Sequence, residues 1–150
     1  MNKRKITAAA VSVAAAILFC FFLFYNSAQN ADKSSQISDV FVNAVMPVLA
    51  FFGIECTSRT VSFYVRKSAH FLGYFALTFL IYKVLKRFFK EKLALTTAPA
   101  ISFCIALFDE FVIQRNASGR SPEWRDVLID LCGTLTAILI IAVVRKLKKK

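Results

Sequence analysis

A chain of 150 residues with 57% apolar residues, 16 Phe and a net charge of +11 has the length of one domain, but its apolar residues come in blocks rather than interleaved as in a soluble core. The excess positive charge raises nucleic acid as a partner, yet the basic residues sit in alternate connectors between apolar blocks, so no nucleic-acid partner is expected. Cys20, Cys56, Cys104 and Cys132 form no C-x-x-C metal or redox pattern and read as small buried apolar residues.

Met1–Tyr25 begins with Lys3-Arg4-Lys5 and continues as an uncharged apolar run over residues 6–25. That run exceeds the roughly 7–15 residues of a signal-peptide core, and no A-x-A site follows it, so it is expected to remain as a first membrane span. Asn26–Ser38 is polar and reads as a solvated connector, with Ser38-Asp39 as the cap of the next helix. Residues 39–54 are mostly apolar but short for a crossing and broken by Asn43 and Pro47. They are expected to form an interfacial or re-entrant helix rather than a span.

The second span, about residues 61–82, carries Lys67, His70 and Tyr74 on one helical face. Counting back from Lys83 puts His70 roughly 10 Å below the outer membrane surface. The third, about residues 93–113, has Pro99 near its start, where neighbouring helices can satisfy the freed carbonyl. It passes Asp109 and Glu110 before ending at Gln114. Glu110 and Gln114 share a face, whereas Asp109 is rotated by about 100°. Gly119 and Pro122 make a loop, Ser121-Pro122-Glu123 reads as a helix start, and the fourth span, about residues 127–144, follows. Asp126 and Asp130 share one face of it, and Gly133 and Ala137 have the small-xxx-small spacing of close helix contact.

Lys83, Lys86, Arg87, Lys90 and Lys92 join the second and third spans, and Arg145, Lys146 and Lys148–Lys150 end the chain, while the other two connectors are near neutral. This alternation predicts an all-α, integral membrane bundle of four transmembrane helices, one domain over residues 1–150, with both termini cytoplasmic. Three outer segments then present ionisable groups inside or beside the bilayer, a costly placement that marks a candidate site. They contribute Lys67, His70 and Tyr74, then Asp109, Glu110 and Gln114, then Arg120, Asp126 and Asp130. The plainer reading is a buried ion-pair network that fixes helix register.

Arg66-Lys67-x-x-His70-Phe71-x-x-Tyr74, Asp109-Glu110-x-x-x-Gln114, Gly119-Arg120 and Asp126-Val-Leu-Ile-Asp130-x-x-Gly133 together resemble the VanZ-like family of small bacterial membrane proteins over about residues 60–140. Relatives often carry an acidic residue before the tyrosine, where this chain has Gly73. The resemblance implies the bacterial cytoplasmic membrane, a role in the cell envelope and a link to resistance against the glycopeptide antibiotic teicoplanin, with no settled reaction.

Three functions compete. In the first, an outward polar site binds an anionic envelope-lipid head group, a lipid-linked cell-wall precursor or a glycopeptide-type antibiotic; Arg120 and Lys67 grip the anion while Asp126, Glu110 and Gln114 orient those cations. In the second, the protein is an enzyme on a lipid-linked substrate, with His70, Glu110 and Asp126 as candidate catalytic groups. A metal version would join His70 to Glu110, Asp126 or Asp130, but the single His argues against it, and no metal or cofactor is expected. The third is a proton-coupled carrier, for which four spans are few unless the chain forms a homo-oligomer.

Overall fold

The computed structural model describes residues 3–148, apart from the side chains of residues 3–5, 31 and 32. The side chains of Lys3, Arg4 and Lys5, and the whole of Lys149 and Lys150, which carry part of the expected charge pattern, lie outside the described residues. Among those described, regular structure is entirely helical: α1 (Lys3–Ser27), α2 (Ala31–Phe51), α3 (Ser58–Phe88), α4 (Glu91–Phe108) and α5 (Trp124–Lys148). Each of the five includes a stretch long and apolar enough to cross a membrane. The helices enclose the four apolar blocks and extend beyond them, since helical hydrogen bonding continues where polarity returns.

α3 is the central helix, packed on α1, α2, α4 and α5. Its Tyr74, Leu77, Ile81 and Tyr82 form the core with Ala94, Ala98 and Ala106 of α4 and Ile141 of α5. Ala94, Ala98, Ser102 and Ala106 follow one another every four residues and are all buried, a ridge of small side chains that lets α4 approach its neighbours closely. The corresponding device on α5 is Gly133, where an added Cβ would collide with the Phe71 carbonyl oxygen of α3.

At one end of the bundle Glu91, opening α4, accepts from Tyr82 Oη at 2.9 Å and is ion-paired with Arg145 and, at 3.7 Å, with Lys86. The ends of α3 and α5 therefore converge on the start of α4, which gathers the described basic residues of the 83–92 and 145–148 segments. The polar residues of the candidate site occupy the opposite end.

α2 departs from the sequence expectation. The solvated connector predicted over Asn26–Ser38 is reduced to a short link after Ser27, because Asn30 rather than Ser38 caps the helix, accepting from the Lys33 N–H at 2.9 Å. Ser38 is buried within α2 and returns its hydroxyl to the Ser34 carbonyl at 3.0 Å. Within this segment Ser27 and Ser34 take tertiary partners, whereas Asn30, Lys33 and Gln36 stay exposed. A second correction concerns the cysteines: Cys104 and Cys132 are exposed on helix surfaces rather than buried, and Cys20 packs against the core.

Candidate functional site

The site is built where α4 loses regularity. Its last turn widens into a π-helix over Asp109–Ile113, in which the Gln114 N–H donates to the Asp109 carbonyl five residues back, and then tightens into a 3-10 turn over Gln114–Asn116. Asp109, Glu110 and Gln114 are all buried in this irregular stretch, with Asp109 turned to a different side from the other two. Such π-turns recur at functional sites because the extra residue re-aims side chains.

Asp109 faces α1 and α3. Its Oδ2 accepts from Ser27 Oγ at 2.7 Å and Tyr74 Oη at 3.2 Å, while Oδ1 has no hydrogen-bond donor among the described residues. Glu110 faces the connector instead, accepting the Glu123 N–H at 2.7 Å and the Gln114 amide. Trp124, opening α5, packs its ring 4.6 Å from that of Phe111, which closes the base of this connector. Gly119 supplies the turn above it, at φ 76°, a left-handed conformation that disfavours other residues.

Arg120 then reaches back across the bundle. Nη1 donates to the Ser27 carbonyl at 3.1 Å and to Gln114 Oε1 at 3.0 Å, and Nη2 donates to Ser34 Oγ at 2.7 Å. Every one of these acceptors is neutral, so the guanidinium orders α1, α2 and the connector without direct contact to a carboxylate, while Asp109, Glu110 and Asp126 favour its charge from nearby. Desolvation, followed by the neighbouring Arg66 charge, holds Arg120 below its ordinary pKa, although an arginine stays protonated.

The remaining pairs join α3 to α5. Lys67 is ion-paired with Asp126 and lies over the Phe63 ring, 5.2 Å from its centroid. His70 Nδ1 lies 3.3 Å from Asp130 Oδ1, within ion-pairing range but out of hydrogen-bond alignment, and neither Asp130 oxygen has a donor among the described residues. Deeper still, the hydroxyls of Thr78, Ser102 and Thr134 cluster at 2.8 and 3.2 Å and satisfy one another.

All nine residues singled out as ligand-binding therefore lie at one end of the bundle, but they divide into separate units. Lys67 is occupied by Asp126, and the carboxylate nearest in sequence to Gln114 serves the backbone of the connector. Sequence reasoning missed Arg66, Ser27 and Ser34. Arg66 stands beside Lys67 in the sequence and within the family-like motif, which was a usable signal; the two serines lie in a polar stretch with nothing to distinguish them.

Two cavities of about 210 Å³ each adjoin this end. One has mainly apolar walls, from Phe22, Leu23, Ile37, Phe41 and Val65 of α1, α2 and α3, and also reaches the polar Ser27, Ser34, Tyr74 and Asp109. The other is polar and lies at the mouth, lined by Lys67, Gln114, Gly119, Ser121 and Asp126. Arg66, His70 and Arg120 line both.

The profile of the VanZ/LLP1 family matches residues 12–145. The chain belongs to the VanZ/LLP1 family. The match extends the VanZ-like resemblance, carried by residues 60–140, across α1 and α2, so the helices that wall the apolar cavity are part of the VanZ/LLP1 domain. Neither the curated proteins nor the solved structures contain a match to this VanZ/LLP1 chain. Among its described residues no group of three or more His, Cys, Asp or Glu side chains is arranged to hold a metal ion.

Proposed function

We propose that this VanZ/LLP1 protein resides in the bacterial cytoplasmic membrane and binds an anionic group of the cell envelope at its outward mouth: a lipid head group, a lipid-linked cell-wall precursor or a glycopeptide-type antibiotic, contributing to resistance. The observation that carries this reading is the pair Arg66 and Arg120, two guanidinium groups that border both cavities and have no carboxylate partner among the described residues. Charged groups at membrane depth are retained for pairing or for function, and here the pairing is absent. Planar guanidinium forks favour phosphate or carboxylate oxygens.

The reading includes four crossings, with α2 in the outer interface. α2 is long enough to cross, but its Ser34 is bonded to Arg120 beside Arg66, and Ser58 opens α3 about 12 Å farther out than Arg66. An inward course for α2 would separate Phe51 from Ser58 by roughly 37 Å. The link of residues 52–57 reaches at most roughly 25 Å. This supports α1, α3, α4 and α5 as the spans, both termini on the cytoplasmic side, and the connector after α2 outside. In intact cells, Cys56 is accordingly expected to react with a membrane-impermeant maleimide, whereas the lipid-facing Cys104 and Cys132 stay unlabelled; protection of Cys56 until the membrane is opened would reverse the orientation.

The site itself is tested with an Arg66→Gln, Arg120→Gln double variant. Envelope lipids, lipid-linked precursors and teicoplanin susceptibility are compared by mass spectrometry and growth between cells making the intact and the altered protein. Loss of the effect of the intact protein at equal accumulation is expected. An undiminished effect would sink the reading. A second reading, catalysis on the bound group, is favoured by His70 beside the buried Asp130 carboxylate, an arrangement in which the imidazole can accept and return a proton; it predicts a new molecular species in the same comparison.

A further inference from the structure

We infer that the ligand is a lipid carrying a terminal phosphate, whose phosphate is held between Arg66 and Arg120 and whose hydrocarbon chain lies in the apolar cavity among α1, α2 and α3. This inference rests on the anion-binding reading above and specifies both halves of the ligand.

The phosphate follows from charge. Arg66 and Arg120 border both cavities and are close enough for the charge of one to disfavour that of the other; Asp109, Glu110 and Asp126 favour the Arg120 charge from nearby, but neither guanidinium is in direct contact with a carboxylate among the described residues. A single carboxylate would compensate one guanidinium. A terminal phosphate approaches two negative charges near neutral pH and presents three acceptor oxygens, enough for two planar forks. Lys67, already paired with Asp126, is a poorer second cation than Arg66.

The chain follows from the way the cavities join. The polar cavity is walled on one side by Gly119 and Ser121 of the connector, and the apolar cavity adjoins it across Arg66, His70 and Arg120. Three apolar wall residues, Phe22, Ile37 and Phe41, are also exposed on the outer surface of the bundle, which in a bilayer is the surface that faces lipid. A soluble anion would use only the polar side. An amphiphile entering sideways from the outer leaflet places an apolar segment and a charged head at once, without drawing the head through hydrocarbon. The apolar cavity, about 210 Å³, takes the part of the chain next to the head and leaves the remainder in the bilayer.

The full-length protein in phosphatidylcholine nanodiscs is titrated with dodecyl phosphate and with glycerol phosphate, which share the head-group chemistry and differ in the chain; nanodiscs holding the Arg66→Gln, Arg120→Gln variant give the background partitioning. Dodecyl phosphate is expected to bind at least roughly tenfold more tightly, the equivalent of about two buried methylene groups. Ala69→Trp, which projects a large ring into the apolar cavity from an exposed position, should abolish that advantage and leave glycerol phosphate binding unchanged; Ile37→Trp, from the facing helix, should do the same. Equal affinities for the two compounds, or full dodecyl phosphate affinity in both tryptophan variants, overturns the chain placement and leaves the anion site standing. Absence of specific binding by both compounds overturns the anion site as well.

Discussion

Gly133→Ala is expected to remove most of the folded protein, with a loss of roughly 3 kcal/mol or more. The added methyl group would meet the Phe71 carbonyl oxygen and carbon and the Phe75 nitrogen, the latter two at 3.0 and 3.2 Å. These are backbone atoms of α3 and cannot rotate aside, so α5 has to move off the helix on which the bundle is centred. That displacement would also loosen Ile141 from the core and separate His70 and Lys67 from Asp130 and Asp126. Gly73 is the control: there the nearest atom is a methyl carbon of Leu23 at 2.8 Å, the end of a flexible side chain, and Gly73→Ala should cost about 1 kcal/mol or less. Thermal unfolding in detergent, followed by size-exclusion fluorescence, separates the two. Equal shifts would contradict the backbone-contact argument.

Glu110→Ala is expected to cost about 3 kcal/mol, because it strands two donors together: the Glu123 N–H and the Gln114 amide. The damage should spread along the chain of bonds from Gln114 to Arg120 and on to Ser27 and Ser34, loosening the ends of α1 and α2. Asp130→Asn is expected to behave oppositely. Neither Asp130 oxygen has a hydrogen-bond donor among the described residues, so neutralising this fully buried carboxylate removes a desolvated charge and loses only its attraction to His70. The melting temperature should hold or rise, while the envelope effect proposed for the protein falls, as for a group retained at the expense of stability. A melting temperature lowered by Asp130→Asn as much as by Glu110→Ala would make both carboxylates structural.

Glu110 and Asp130 look alike in the sequence: acidic residues near one end of an apolar segment. Burial was legible for both, because a carboxylate followed by Phe111, Val112 and Ile113, or flanked by Leu128, Ile129 and Leu131, cannot be at a freely solvated helix end. Their different partners were not legible. The partner of Glu110 is the backbone of the connector, which has no side-chain signature, and that of Asp130 depends on the rotation of α5 against α3. Arg66 was passed over for Lys67 for the same reason, since adjacent residues on a helix point about 100° apart and only packing decides which of them is paired.

The sequence by itself determined the all-helical class, the apolar blocks with their alternating basic connectors, and the set of polar residues that gather at one end. Each of these follows from length, periodicity and charge along a single chain, and a bilayer leaves an apolar segment of that length few alternatives to a helix. The tertiary structure alone decided that Asn30 caps α2, that Asp109 and Glu110 are both buried in a π-turn but face different partners, that Lys67 is paired with Asp126, and that Arg66 and Arg120 are left between two cavities. Those outcomes depend on helix rotation and on differences of a few tenths of an ångström in how closely segments far apart in the chain approach, and no one-dimensional pattern encodes them.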